Sequence, residues 1–232
     1  MGVLKGLKSI KSHNDEIERA KAERENRVSA KWLSLKDGDS VKIRFLQELD
    51  EESPAFSDKN GIGFIAVEHT SPADYKRKAV CTADDGGCYA CDQARSVSDK
   101  DERAKWRQKM RLYINVLVDN GKDEPYVAVL SQGTSAKSIT PTLLEFATDN
   151  ETITNRWWKI KRTGSGLSDT SHTLIPFDPK DNLESVEDYE VFDLEKAVIR
   201  TVPLAEQAAF YGGGLSSQEH KEEVASSSGD IW

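Results

Sequence analysis

Cys81, Cys88 and Cys91 are the only cysteines in this 232-residue chain, and His69, one of four histidines, precedes the first of them by twelve positions. Three thiolates and one imidazole make a closed four-ligand set. That set suits a tetrahedral structural Zn²⁺ and leaves no coordination position for a catalytic water. Cys88-Tyr-Ala-Cys91 has the two-residue spacing with which both sulfurs reach one metal, and Gly86-Gly87 lets the chain turn sharply just before it. An odd cysteine count, tight clustering and no secretory leader argue against a disulfide framework. A redox pair at Cys88 and Cys91 would need βαβ surroundings that this stretch lacks. The expectation is one structural zinc held by His69, Cys81, Cys88 and Cys91, stabilising an insertion over about residues 69–95.

The elements around this cluster repeat one design. Val41, Ile43 and Phe45 alternate with Lys42 and Arg44, which predicts a strand with an apolar inner and a cationic outer face. Met110 to Val118 alternates likewise, with Lys109, Arg111 and Tyr113 on the outward side; Arg103 to Tyr113 holds five basic residues and no acid. In Asn155 to Arg162, Trp158 and Ile160 face inward while Trp157, Lys159 and Lys161 face outward. Further strands are expected over 62–67 (ending at His69), 126–130 and 173–177. Helices are expected over 98–108 with Ser98 as cap, from Thr140-Pro141 with Thr140 as cap, and around 193–211. Five or six short strands with little helix read as a small β-barrel or sandwich.

Cations interleaved with exposed aromatics point to a nucleic acid, because lysine and arginine neutralise phosphates while ring faces stack on unpaired bases. Duplex DNA hides its base faces, so the pattern favours a single strand. Lys42, Arg44, Lys76, Arg77, Lys109, Arg111, Lys159 and Lys161 are the candidate backbone contacts. Tyr113 and Trp157 are the candidate stacking residues, followed by Tyr75 and Trp106. Two other readings are a zinc-ribbon module that binds duplex DNA or protein, and a zinc hydrolase using Asp84 and Asp85. The hydrolase requires an open metal position, so no enzymatic activity is expected.

Charge divides the chain. Residues 178–232 carry 13 acidic and 4 basic side chains, a net of −9, against −8 for the whole chain, so residues 1–177 sum to about +1. Residues 1–30 read as a basic and helical N-terminal arm, 31–177 as the core, and 178–232 as a largely flexible acidic tail. Asp230, Ile231 and Trp232, an acidic tip ending in large apolar residues, are candidate partner-binding residues. No apolar run approaches the roughly 18 residues of a membrane span, and a cytoplasmic location is expected.

Val41-Lys-Ile-Arg-Phe-Leu46, then His69…Cys81…Cys88-Tyr-Ala-Cys91, then Lys109-Met-Arg-Leu-Tyr-Ile-Asn-Val-Leu-Val118 resemble the core of the T-even-phage single-stranded DNA-binding (helix-destabilising) proteins. The likeness spans about residues 35–177 in element order. It implies an OB-fold, a five-stranded Greek-key barrel, with an inserted zinc subdomain. It also implies sequence-non-specific binding of single-stranded DNA in phage replication, recombination and repair within a bacterial host. The N-terminal arm would mediate self-association along the strand, and the acidic tail would contact replication and recombination proteins. The chain departs from that family in a shorter Cys81–Cys88 interval, a shorter overall length, and an arm whose cations are spaced as Leu7-Lys-Ser-Ile-Lys11.

Overall fold

Strict alternation at Val41, Ile43 and Phe45 makes Ser40–Phe45 the first strand, β1. Six others follow in the computed structural model, which describes Lys11 and residues 30–166, 169–180 and 183–212. They are β2 (Phe64–Thr70), β3 (Lys78–Val80), β4 (Lys109–Asp119), β5 (Tyr126–Gly133), β6 (Trp158–Thr163) and β7 (Ser171–Pro176). The fold is mainly β, with all seven strands in one antiparallel sheet ordered β3-β2-β4-β1-β6-β7, and β5 also pairing with β4. β4 is its spine: its first half pairs with β2, its last residues with β1, and most of its length with β5 on the other edge. β3 had no counterpart in the sequence reading. It is three residues long, too short to show a period.

The inner face of the sheet makes the core. Val41, Ile43 and Phe45 of β1 meet Leu112, Ile114, Val116 and Val118 of β4 and Trp158 and Ile160 of β6. Helix α3 (Thr140–Asn150) closes that core with Leu143. Phe45 and Phe146 set their ring edges against Trp158 at 5.5 and 4.6 Å between centroids, and the indole N–H donates to the Ile153 carbonyl at 3.0 Å. Fully buried, Trp158 therefore keeps its one polar atom satisfied. Thr140, expected as the helix cap, instead donates its hydroxyl to the Gly133 carbonyl (2.7 Å), and the cap position is Ile139.

Glu48 is buried, and among the described residues no cation pairs with it. Its carboxylate accepts from the Thr152 and Thr154 hydroxyls at 2.5 and 2.7 Å and from the backbone N–H groups of Ile153 and Thr154 at 3.1 and 3.2 Å. Several donors converging on one carboxylate tie the loop before β6 to the end of β1.

The second face of β4 differs from expectation. Alternation alone predicts an open, cationic face, yet residues 112–118 of the strand are buried without a break. The cover comes from residues 183–212, which the charge pattern assigned to a flexible tail. Leu194 packs on Ala66, Tyr113 and Val129, with Phe192, Val198 and Ile199 around it. The Asn115 side chain pairs with the backbone of Phe192 in both directions, donating to its carbonyl (2.9 Å) and accepting from its N–H (3.1 Å). The segment carries two short helices, α4 (Leu194–Val198) and α5 (Leu204–Tyr211). Widely spaced apolar residues hold this stretch down despite its acidity, and net charge does not register them. No helix among the described residues is long and apolar enough to cross a membrane.

Candidate functional site

The four expected ligands converge. Their donor atoms all lie within 4.8 Å of one another, so His69, Cys81, Cys88 and Cys91 could hold one metal ion. His69 comes from the end of β2, and Cys81 directly follows β3, whose backbone is paired to β2. Cys88 is the N-cap of α1 (Tyr89–Ser96), which places Cys91 in that helix's first turn. The turn before it runs through Gly86 and Gly87 at φ of 105° and 140°, a region that favours glycine.

Two of the separations lie near those that a tetrahedral ion would set. Cys81 Sγ and Cys91 Sγ are 3.6 Å apart, and Cys91 Sγ is 3.4 Å from His69 Nε2. Ligands at ordinary zinc bond lengths would stand about 3.8 Å (S to S) and about 3.6 Å (S to N) apart. His69 Nδ1 donates to the Trp106 carbonyl (2.8 Å), which fixes the tautomer and aims the Nε2 lone pair at the sulfurs. Burial holds the His69 pKa below its ordinary value, against the effect of that hydrogen bond, so the ring stays neutral as ligation requires.

The thiols are crowded. Burial, hydrogen bonding to Cys81 and the neighbouring sulfurs push Cys91 up to about 12. For Cys88, burial pushes upward, but hydrogen bonds from the backbones of Cys91 and Thr82 and from the other thiols bring the pKa net below its ordinary value. Three thiolates cannot share this space as bare anions, whereas a divalent cation deprotonates and holds them together.

Residues outside the ligand set complete the walls, and no local pattern marks them. The Gln108 amide donates to Cys81 Sγ at 3.0 Å and Cys91 Sγ at 3.5 Å. From α5, Gln207 accepts from the Tyr89 N–H (2.8 Å) and donates to the Thr82 hydroxyl (2.7 Å) and the Val202 carbonyl (2.9 Å). Tyr211, also on α5, sets its ring edge-on to His69 and Trp106 at 6.3 and 6.2 Å. The second helix, α2 (Lys100–Trp106), is capped by Asp99 rather than Ser98, its carboxylate accepting from the N–H groups of Asp101 and Glu102. Asp84 and Asp85 are exposed in the turn before Gly86.

The basic and aromatic candidates fall into three places. On the outer face of β1 and β6, Lys42 stands directly opposite Lys159, and Lys161 opposite Ser40. The Lys42 ammonium lies 4.2 Å from the centre of the Trp157 ring and 3.6 Å from Asp119. Lys159 and Lys161 are exposed, and Trp157 is half-buried. Beside them on β7 and just after it, Ile175 and Phe177 are 49% and 43% exposed, and the Phe177 N–H donates to the Trp157 carbonyl.

The second group surrounds the β2–β3 turn and the start of β4. Tyr75 is 75% exposed, Lys76 and Lys109 are exposed, and Arg77 and Arg111 are partly buried. Arg111 Nε is held by Glu68 at 3.0 Å.

The third group is covered, which corrects the sequence reading. Tyr113, expected to offer its ring to solvent, is 4% exposed beneath Leu194 and donates its hydroxyl to Glu68 at 3.1 Å. Arg44 is 5% exposed and spends its guanidinium on the carbonyls of Thr154 (3.0 Å) and Glu184 (2.7 Å). Trp106 packs between Tyr89 and Tyr211 at the metal cluster. Alternation within one strand reports which side chains share a face, but not what a distant segment lays across it. Apart from Lys11 and Ala30, the expected N-terminal arm lies outside the described residues, as do Asp230, Ile231 and Trp232.

Comparison with protein-family models, curated proteins and solved structures finds no match to this chain.

Proposed function

We propose that this chain is a sequence-non-specific single-stranded DNA-binding protein of phage replication, recombination and repair, not an enzyme, with a structural Zn²⁺ at its Cys/His cluster. The observation that carries the reading is the open outer face of β1, β6 and β7. Two lysines directly opposite one another on neighbouring strands repel, and Asp119 compensates only one of them. A polyanion relieves that repulsion. Trp157 and Phe177 border the same cations with apolar surface still open to solvent, which suits unpaired bases at about 1–3 kcal/mol per stacked base. Lys42, Lys159 and Lys161 would neutralise the backbone, and Tyr75, Lys76 and Lys109 would extend the contact.

Strand pairing supports an OB-type core for this activity. β1 lies between β4 and β6; β4–β5 and β6–β7 are hairpin pairs; α3 joins the two halves. The His172 N–H donates to the Lys137 carbonyl (2.8 Å), where the last strand approaches the chain beyond β5. On this reading β2, β3, α1 and α2 form the insertion between the first two barrel strands, and the zinc is its staple. Zinc fits better than a harder cation because three of the four donors are sulfur. When bound, it supplies only a fixed junction between β2, the chain after β3, and α1. The arm at residues 1–30 would contact neighbouring copies along the strand, and the Asp230–Trp232 tip would contact replication proteins.

The test is a binding titration of the metal-loaded protein with oligo-dT and with duplex of equal length, at two salt concentrations. Tight, salt-sensitive binding of the single strand alone supports the proposal. Equal affinity for both, or none for either, refutes it.

A further inference from the structure

At the far end of β4 from the open lysine face, three cations crowd one carboxylate. Register places Lys109 opposite Glu68, Arg111 opposite Ala66, and Lys78 opposite Thr70, so the side chains of Lys78, Glu68, Lys109 and Arg111 share one face of β3, β2 and β4. Glu68 is buried and fully engaged: Arg111 Nε lies 3.0 Å from one carboxylate oxygen, and the Tyr113 hydroxyl donates to both oxygens at 3.1 Å. Among the described residues no carboxylate pairs with Lys78 or Lys109. The cluster thus holds a net charge of +2.

Its geometry is prepared rather than loose. Arg111 is clamped at two points, by Glu68 at Nε and by the Ser131 hydroxyl at Nη1 (3.2 Å). A guanidinium fixed in this way presents its remaining N–H groups in one direction. The residue opposite Arg111 on β5 is Gly133, and a Cβ placed there would meet nothing within 4 Å. There is open space directly beside the clamped arginine. Lys78 is partly buried, and its pKa is lowered first by that burial, then by Arg111 and Lys109, against the pull of Glu68. An ammonium held where its charge is disfavoured gains most when an anion arrives.

We infer that Lys78, Lys109 and Arg111 form a phosphate-binding subsite on the outer face of β3, β2 and β4, with Glu68 as the buried residue that orients Arg111. The ligand is a phosphate group. It comes from the backbone of a single-stranded DNA if the proposed function is right, an identification that rests on that reading, and from a free phosphate or polyphosphate otherwise. Lys78 lies in the basic run Tyr75-Lys-Arg-Lys78, but the sequence pattern did not single it out as a contact. Its partners are 31 and 33 residues away in the chain.

The experiment compares the metal-loaded wild type with Lys78→Gln/Lys109→Gln, and with a control of equal charge change, Lys36→Gln/Lys122→Gln, at exposed positions elsewhere. Two readouts are taken: the dependence of oligo-dT affinity on salt, and the thermal shift produced by sodium tripolyphosphate. A phosphate subsite used by DNA lowers the magnitude of the salt slope by about 1 in the Lys78/Lys109 variant and leaves the control unchanged. A tripolyphosphate shift in the wild type that is lost in that variant, with an unchanged DNA slope, supports the site with free phosphate as its ligand. If the wild type fails to bind oligo-dT, the DNA reading falls, and the tripolyphosphate readout alone decides the subsite. Equal slopes and equal shifts in wild type and both variants overturn the subsite and leave the DNA reading standing.

Discussion

Tyr211 is where the C-terminal segment packs on the Cys/His cluster, and replacing it tests that link. The residue is 1% exposed, with ring centroids 5.0, 6.2 and 6.3 Å from Phe210, Trp106 and His69. Its hydroxyl is buried with no hydrogen-bond partner among the described residues, and burial followed by the charge of the nearby thiols raises its pKa. The two parts of the side chain therefore act in opposite directions. Truncating a buried aromatic to alanine costs about 3–5 kcal/mol, whereas deleting an unpartnered buried hydroxyl relieves a desolvation cost of about 1–3 kcal/mol. Tyr211→Ala should destabilise the metal-loaded protein by about 3 kcal/mol, and Tyr211→Phe should leave it unchanged or stabilise it. With a urea m-value of about 2 kcal/mol/M, the alanine variant's midpoint falls by about 1.5 M. The same variant should surrender its metal faster to a chromogenic chelator, because the aromatic wall over His69 is gone. An alanine midpoint equal to wild type would refute the docking of α5. A phenylalanine variant as unstable as the alanine one would show that the hydroxyl has a partner after all.

Two further outcomes follow from one buried and one partly buried group. Glu48→Gln keeps the shape but removes the charge that draws donors from Thr152, Ile153 and Thr154; a loss of about 2–3 kcal/mol in urea unfolding is expected, and a loss under about 0.5 kcal/mol would contradict the account of that loop. His172 has its pKa held below 6.5 by burial and then by Arg162. The folded state therefore binds fewer protons than the unfolded state just below pH 6.5, and stability falls as the pH drops from 6.5 toward the lowered value. His172→Asn should flatten that part of the stability–pH curve relative to wild type, while identical curves would exclude the residue as a source of acid sensitivity.

The legibility of this fold depended on whether information was local. β1, β4 and β6 were readable because inward residues recur at every second position, and Trp158 and Ile160 lie inside as their phase requires. The four members of the Cys/His cluster were readable because cysteine is scarce and its spacing is chemically restrictive. Tyr113 and Arg44 were misplaced for one shared reason: residues 183–199 cover them, and that segment looks like a solvated acidic stretch. Its hold depends on isolated contacts such as Leu194 against Val129 and Asn115 against the Phe192 backbone, which leave no periodic trace. Gln207 and Gln108 were invisible for a related reason, since a glutamine that orders a metal site has the same local signature as one on the surface.

The central claim is that the open face of β1, β6 and β7 receives single-stranded DNA, and Trp157 reports on it from within. The decisive measurement is the quenching of intrinsic tryptophan fluorescence by oligo-dT in wild type and in Trp157→Phe. Of the other tryptophans in the described residues, Trp158 is buried in the core and Trp106 is packed beside the Cys/His cluster, while Trp32, 46% exposed, sets its ring edge-on to Tyr113 and lies outside the lysine face. The account predicts strong, salt-sensitive quenching in wild type that is largely lost in Trp157→Phe. Quenching of equal depth in both proteins would mean that DNA binds elsewhere, and none in either would mean that this face has a different partner.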